Sequence, residues 1–266
     1  MEEDDVLLEN KSAVVYGGGP IGAAVAHAFA REGAKVFLAG RTVATLDKVA
    51  EEISATGSMV ETARVDALEE DAVEEHAASV SAKAGGIDIA FNAVGYGDIH
   101  GQPLSQMSFQ DFVAPITDAL RAQFLITRAA ARHMVRRGSG VILTITATTA
   151  RPPIPHVGGT GVRFDAMEGL CRQWAAELGP HGVRVAWLRT TGLPEALRGE
   201  RFPGYGTGSP EMTRDQLIAW MQGKTMLGRL TSLVDIANAA AFIASEHGGA
   251  LTAGALNLSC GSVPDY

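Results

Sequence analysis

The feature that most constrains the fold is a cluster of glycines between a short apolar segment and a helix-like one. Residues 13–16 are apolar and include two valines, which predicts a buried strand. Gly17, Gly19 and Gly22 follow with the spacing G-x-G-x-x-G, and the next residues are apolar at a helical period. These glycines permit a tight turn, close approach of a pyrophosphate and close helix packing, respectively. Because Pro20 suits the first helical position, whose free N–H groups bind phosphate, the stretch predicts a nucleotide site. The alternative is a plain glycine-rich turn.

The end of the second predicted strand bears on which dinucleotide is bound. Residues 35–40 form that strand, and a helix capped by Thr42 follows. A carboxylate closing the strand would bind the ribose 2′-hydroxyl of NAD, but Gly40 and Arg41 stand there instead. Since a guanidinium suits a 2′-phosphate, we expect NADP(H) to be preferred over NAD(H). The alternative is a solvated arginine in a loop.

Strand-like and helix-like segments alternate along the whole chain. The pattern predicts a single α/β domain over residues 1–266 with a Rossmann fold: a doubly wound parallel sheet of about seven strands flanked by helices. Ser108 and Asp111 form a capping box before a long helical stretch, which we expect Pro115 to interrupt. The strands are predicted at residues 13–16, 35–40, 60–65, 87–94, 141–147, 183–188 and 255–258.

Two further segments are expected to lie outside this alternation. Residues 1–10 form an acidic N-terminal extension without the basic and apolar regions of a signal peptide. Residues 194–212 are rich in Gly and Pro and too long for a plain connection, which predicts a substrate lid.

Composition excludes several classes of partner. The formal net charge is −8, the isoelectric point is near 5.4, and no apolar run reaches the length of about 20 residues that a membrane span requires. We therefore expect a cytoplasmic protein that binds neither nucleic acid nor membrane. Cys171 and Cys260 have no metal-ligand or redox spacing, and we expect no metal.

The chain resembles the short-chain dehydrogenases/reductases along nearly its whole length. The resemblance rests on the glycine turn, on Asp66 after the third strand, and on Asn92-Ala-Val-Gly95, which stands where the family has Asn-Asn-Ala-Gly. It continues through residues 175–185, 227–237 and 251–257. The resemblance implies a nicotinamide cofactor, a small-molecule substrate and a homodimer or homotetramer built through the helices near residues 116–135 and 161–178. It implies cofactor contacts from Gly17, Gly18, Gly19, Ile21, Gly22, Arg41, Asp66, Ala67, Asn92, Ala93 and Thr190.

The family's catalytic residues do not map onto this sequence. Counting back from Ala175-Ala-Glu-Leu178 places the Tyr-x-x-x-Lys roles at Thr160 and Phe164. The family's serine falls near Ala147 and its asparagine near Ala119. None of the four tyrosines of the chain has a lysine four residues on. A shift of one residue would bring Arg163 to the lysine role, but it would supply no phenol.

Replacement groups are expected on the loops that follow the fourth and fifth strands, which border the nicotinamide pocket in this topology. His156 and His100 are the best candidates for acid or base, because histidine titrates near neutrality. Thr146 and Thr148 are candidates for orienting a carbonyl oxygen. Tyr96, Asp98 and Arg151 lie on the same loops. We expect His27, His76, His133, His181 and His247 to be structural, and Glu168 to face solvent.

Three functions remain open at this point. The first is an NADP(H)-dependent oxidoreductase that acts on a small carbonyl, alcohol or activated enone with a non-standard active site. The second is a non-redox isomerase, dehydratase or cyclase on the same scaffold. The third is a nucleotide-binding pseudoenzyme. The phosphate loop favours the first and third, and the missing Tyr-Lys pair favours the second and third.

Overall fold

Parallel strands form the centre of the molecule. The structure is a computed structural model that describes residues 6–150, 153–203 and 211–264. Strands β1 to β9 are, in chain order, Ser12–Tyr16, Lys35–Gly40, Val60–Arg64, Ile89–Asn92, Gly140–Ala147, Val183–Thr190, Arg201–Pro203, Glu211–Thr213 and Ala255–Leu258. Helices α1 to α7 are Pro20–Arg31, Val43–Ser54, Glu70–Ala84, Phe109–Arg137, Thr160–Leu178, Arg214–Gln222 and Leu233–Ala244.

The strand order creates one point where the chain reverses its direction of travel across the sheet. Within the described residues a seven-stranded sheet has the order β3-β2-β1-β4-β5-β6-β9, and all its pairs are parallel. The chain builds outward from β1 to β3 and then returns to place β4 on the other side of β1. Ligands of open α/β sheets bind at such a switch point, beyond the carboxyl ends of the strands.

Helices cover both faces of the sheet, because alternate strand residues point to opposite sides. Val15 faces a core cluster that contains Phe29 of α1 and Ile236 of α7. Val14 faces a second cluster that contains Ile126 of α4 and Cys171 of α5. The single-domain α/β Rossmann fold predicted from the sequence is therefore confirmed.

Helix α4 corrects one prediction. Pro115 does not interrupt it, since the helix runs without a break over Phe109–Arg137 with Pro115 inside and buried. The proline removes one backbone hydrogen bond, but the long apolar face of α4 packs into the core, and that burial outweighs the local cost. The predicted cap is present, because the Ser108 hydroxyl accepts a hydrogen bond from the Asp111 N–H at 3.0 Å.

Two segments predicted to lie outside the alternation take part in the fold. Residues 6–10 pack on it, since Leu8 is fully buried and its N–H donates to the Glu32 carbonyl at 2.8 Å. In the stretch from 194 to 212, a 3₁₀ turn at Pro194–Ala196 precedes β7 and β8, which pair antiparallel in a small separate hairpin. The sequence analysis did not predict this hairpin. Residues 1–5, 204–210 and Arg151 lie outside the described residues.

None of the helices in the described part of the chain is both long enough and apolar enough to cross a membrane.

Candidate functional site

The glycine turn between β1 and α1 fits against the end of β4. Gly17 has φ of +110°, a conformation that favours glycine, and a side chain there would place its Cβ 2.5 Å from the Ala93 carbonyl oxygen. A Cβ on Gly22 would collide with the Gly17 carbonyl. Gly19 differs, because the space beside it is open. The first and third glycines therefore permit close packing, and the second leaves room for a ligand.

The start of α1 offers backbone donors to that space. Gly19 is the N-cap and Pro20 the first helical residue, and no side chain caps this end. No acidic residue lies in the first turn. The first N–H groups of a helix have no partner inside the helix, and the helix dipole adds positive potential there. This end of α1 is consequently suited to an anion.

A groove of about 510 Å³ runs along the carboxyl ends of the central strands. Eight of the eleven predicted cofactor contacts line it: Gly17, Gly18, Gly19, Ile21, Arg41, Asp66, Ala67 and Ala93. The other three lie away from its lining. Gly22 packs beneath the turn, Thr190 is buried at the end of β6, and Asn92 is buried with its amide donating to Gln123 Oε1 at 2.7 Å.

Arg41 lies at the side of the groove formed by β2 and α2. It is exposed, and within the described residues its side chain has no hydrogen bond or ion pair. Thr42, Thr45 and Leu46 of the same region also line the groove. The position before Arg41 is Gly40, so no carboxylate closes β2. A free guanidinium is thus presented to any ligand in this part of the groove.

Tyr16, which ends β1, also lines the groove and is held from behind by a histidine. Its hydroxyl lies 3.1 Å from His76 Nδ1, and the two rings meet edge to face. Burial raises the pKa of Tyr16, and burial together with nearby Lys83 lowers the pKa of His76 to about 4. Both groups are neutral near pH 7, so this pair is a neutral wall of the groove.

A polar cluster joins the loop after β4 to the start of α5. His100 Nε2 lies 2.9 Å from Thr160 Oγ1, and Arg163 pairs with Asp98 at 2.9 Å. Burial lowers the pKa of His100, which nearby Asp98 opposes and Arg163 assists. Arg163 is only 5% exposed and lies over the ring of Phe164, 4.4 Å from its centroid. The structure therefore joins His100 to Thr160, the residue that the sequence predicts at the position of the family's tyrosine.

Tyr96 connects this cluster to the groove. It lines the cavity, and the Arg163 guanidinium lies 5.6 Å from its ring centroid. Burial raises the pKa of Tyr96 to about 12, although the nearby Asn92 side chain and the charge of Arg163 act in the opposite direction. The described lining of the groove does not include the other four candidate catalytic residues, His100, His156, Thr146 and Thr148.

His156 lies in the loop before α5 and has a left-handed backbone conformation. It has φ of +65°, and its carbonyl accepts a hydrogen bond from the Gly101 N–H at 2.8 Å. Its half-buried side chain has no hydrogen bond or ion pair within the described part of the chain. Of the two histidines proposed as acid or base, His100 is the one that contacts a polar side chain at the start of α5, namely Thr160.

Thr146 and Glu168 are positioned differently from what the sequence predicted. Glu168 does not face solvent: it is 3% exposed and receives two hydrogen bonds from Arg189, at 2.8 and 2.7 Å. The Thr146 hydroxyl donates to the same carboxylate at 3.0 Å, and Thr146 is not part of the described lining of the groove. Burial alone would raise the pKa of Glu168, but the hydrogen bonds and charge of Arg189 and the Thr146 bond lower it overall. Thr148 is buried just beyond β5.

Sequence reasoning missed several residues that line the groove. Asp118 of α4 and two residues that follow β6, Ala196 and Arg198, border it. Their contribution arises from the way distant segments meet at the switch point. The one available sequence signal for them is the cationic side chain of Arg198 within the stretch rich in glycine and proline.

Comparison with known proteins identifies the family. A family model described as Enoyl-(Acyl carrier protein) reductase matches residues 18–262. An uncharacterized oxidoreductase of Mycobacterium tuberculosis (strain CDC 1551 / Oshkosh) is 32% identical over 262 residues, which cover 97% of this chain and 94% of that protein. The chain belongs to the short-chain dehydrogenase/reductase family. Gluconate 5-dehydrogenase of Gluconobacter oxydans (strain 621H) is 29% identical over 246 residues, which cover 90% of this chain and 89% of that enzyme.

Solved structures show the same fold. The NAD⁺-bound xylitol dehydrogenase has a TM-score of 0.84 at 22% identity, covering 94% of this chain and 98% of that one. A gluconate 5-dehydrogenase from Burkholderia cenocepacia J2315, in complex with NADP and tartrate, has a TM-score of 0.83 at 23% identity, covering 97% and 96%. One short-chain dehydrogenase/reductase neighbour therefore binds NAD and the other NADP, so likeness alone does not select the cofactor of this chain.

Proposed function

We propose that this short-chain dehydrogenase/reductase is an NADP(H)-dependent oxidoreductase that transfers hydride to or from a small carbonyl, alcohol or activated enone. The observation that carries the proposal is the groove at the switch point, with the glycine turn at its centre and Arg41 at its β2 side. The uncapped end of α1 and the open space beside Gly19 fit a phosphate-bearing cofactor. When bound, the nicotinamide supplies the hydride donor or acceptor.

The preference for NADP(H) rests on Arg41. Its guanidinium has no partner among the described residues, and no carboxylate closes β2 to favour the 2′-hydroxyl of NAD. A guanidinium binds phosphate through parallel charge-assisted hydrogen bonds, which NADH cannot offer at the 2′ position.

A calorimetric titration of the full chain with NADPH and NADH tests this preference. We expect NADPH to bind about ten- to a hundredfold more tightly, since charge-assisted hydrogen bonds contribute about 1.5–3 kcal/mol. Arg41→Ala should remove this difference by weakening NADPH binding while leaving NADH binding unchanged. Lys48→Ala removes an exposed charge from α2, the helix that follows Arg41, at a position outside the groove, and is the matched control. Equal affinities of the unaltered chain would refute the assignment.

We further propose that the active site is non-standard and that His100 and Thr160 together accept the proton that the substrate loses on oxidation. Support comes from the position of Thr160, where the family has its tyrosine, and from its 2.9 Å contact with His100. Oxidation of an alcohol requires that its hydroxyl proton be removed. The substrate hydroxyl proton passes to Thr160 Oγ1 as the Thr160 proton passes to His100 Nε2. Because burial lowers its pKa, His100 is neutral near pH 7 and able to accept that proton.

Turnover of His100→Gln and Thr160→Val tests this route. Each should lower kcat by about 10²–10⁴-fold, the usual contribution of general acid–base catalysis, with nucleotide affinity unchanged. The oxidation rate of the unaltered enzyme should fall in acid, below the ordinary histidine pKa of 6.5, as His100 becomes protonated. His156→Ala is the control and should retain turnover. Full activity of His100→Gln, or loss of activity in His156→Ala alone, would contradict the assignment.

A nucleotide-binding protein without turnover is the second candidate. It is favoured by the sequence, since no tyrosine of the chain has a lysine four residues on. Under that function NADPH binds as above, but carbonyl, alcohol and enone substrates are not turned over. A non-redox enzyme on the same scaffold would convert its substrate without any change in nicotinamide absorbance.

We also propose a homodimer or homotetramer formed through α4 and α5. Phe109, Phe124 and Val162 on these helices are 76%, 41% and 51% exposed. Ala129, Ala130 and Ala131 of α4 are buried within the chain, so the exposed apolar residues are the ones that support association.

A further inference from the structure

The groove has a second arginine, which is not among the predicted cofactor contacts. Arg198 lines it together with Ala196, from the segment that follows β6. The 3₁₀ turn at Pro194–Ala196 packs on α1, and Ala196 contacts the same core cluster as Ile21, the second residue of that helix. Arg198 therefore lies two residues beyond a turn that packs on α1, the helix whose N-terminus faces the groove.

The Arg198 side chain is available to a ligand. It is exposed, and within the described residues it has no hydrogen bond or ion pair. The other arginines of the segment are engaged: Arg201 pairs with Glu211 at 2.7 Å, and Arg214 donates to the Pro194 carbonyl at 2.7 Å. Arg214 therefore helps fix the segment, while Arg198 is left facing the groove.

The two groove arginines follow strands on opposite sides of β1 in the sheet order. Arg41 follows β2, which neighbours β1 on one side, whereas Arg198 follows β6, which lies beyond β4 on the other side. The turn and the start of α1 lie between them and contain no lysine or arginine of their own. One ligand phosphate beside Arg41 therefore leaves Arg198 to a different phosphate group.

The charge balance of the groove supports a role for both cations. Its charged lining within the described residues consists of Arg41, Arg198, Asp66 and Asp118, and the chain as a whole has a net charge of −8. A dinucleotide brings at least two negative charges into this surrounding. Backbone N–H groups can orient a phosphate, but they offset its charge less than a guanidinium does.

We propose that Arg198 binds the pyrophosphate bridge that NADPH and NADH share, and so acts as a general affinity residue beside the 2′-phosphate specificity of Arg41. The proposal rests on the proposed nucleotide-dependent function. The start of the segment predicted as a substrate lid then serves the cofactor.

Titration of the full-length Arg198→Gln variant with NADPH and NADH tests the proposal. We expect the dissociation constants of both nucleotides to rise by the same factor, about five- to tenfold, because one exposed charge-assisted contact is lost in each case. The increase should diminish at high salt, where the contact is screened. Arg198→Lys should restore part of the affinity. Arg201→Gln, three residues along, is the control and should bind both nucleotides as the unaltered chain does.

The pattern across the two nucleotides decides the outcome. Unchanged affinity for both overturns the proposal while leaving the proposed function intact. A loss confined to NADPH also overturns it, because Arg198 would then serve the 2′-phosphate. If the unaltered chain binds neither nucleotide, the proposed function and this inference both fail. Circular dichroism of each variant shows that the fold is retained.

Discussion

The buried carboxylate of Glu168 allows a stability prediction from the geometry. It joins α5 to β6 through two hydrogen bonds from Arg189, from Nε to Oε1 at 2.8 Å and from Nη2 to Oε2 at 2.7 Å. The two side chains are 3% and 8% exposed. Breaking a buried ion pair from one side leaves a desolvated charge without its counterion and costs about 3–5 kcal/mol. We expect Glu168→Gln to lower the free energy of unfolding by that amount.

Two companion variants separate the ion pair from its surroundings. Thr146→Val removes only the hydroxyl that donates to Glu168 at 3.0 Å, so it should cost about 1 kcal/mol. Glu177→Gln on the same helix replaces an exposed carboxylate bonded to Gln173 and should stay within about 0.5 kcal/mol. Urea unfolding at fixed protein concentration, followed by tryptophan fluorescence, measures all three.

The pH dependence of the free energy of unfolding shows whether the ionised form of Glu168 stabilises the fold. The pKa of Glu168 is lowered below its ordinary value of 4.5 in the folded chain, so its ionised form stabilises the fold. That contribution is complete above about pH 4.5 and is lost as the pH falls through the folded-state pKa. The difference between the unaltered chain and Glu168→Gln should therefore shrink in acid. A cost under about 1 kcal/mol at pH 7, or one that does not shrink in acid, would refute the reasoning.

Two further predictions concern the turn and the assembly. Gly17→Ala should lower the free energy of unfolding by about 2–4 kcal/mol and abolish nucleotide binding, because it adds a collision with the Ala93 carbonyl to the backbone cost of positive φ. Gly57→Ala, with φ of +83° and open space beside it, has only the backbone cost and is the control in the same urea assay. Light scattering should give a dimer or tetramer, and Val162→Lys should shift it toward the monomer; a monomeric unaltered chain would contradict that proposal.

Elements with strong local patterns could be predicted from the sequence. β2 and β9 have the predicted limits, and the other strands of the large sheet differ by a few residues, because apolar runs bounded by glycine or charge define them locally. The glycine turn was equally predictable, since each glycine there has a local geometric reason. The helix around Pro115 was not, because its continuity depends on burial along the whole of α4.

Polar pairs between different elements of the fold could not be predicted from the sequence. Glu168 and Arg189 are 21 residues apart and meet only because α5 packs on β6. Asp98 lies in the loop after β4 and Arg163 in the first turn of α5, and they meet where that loop packs against the helix. Helical periodicity assigns such a residue to a face of its own helix, but it does not reveal which charge lies opposite. For the same reason the sequence could not choose between His100 and His156.

Arg163 is the cation that a shift of one residue would bring to the predicted lysine role. It is one residue from Phe164, and its charge is held by Asp98 at 2.9 Å in a site that is almost fully buried. Releasing it toward a ribose would leave the Asp98 carboxylate, whose side chain is 14% exposed, without its counterion. The Asp98–Arg163 ion pair is therefore suited to a structural role: it holds the loop that contains His100 against α5. Under our proposal this is its contribution to catalysis, since a 2.9 Å contact between His100 and Thr160 requires the loop after β4 to keep its position against α5.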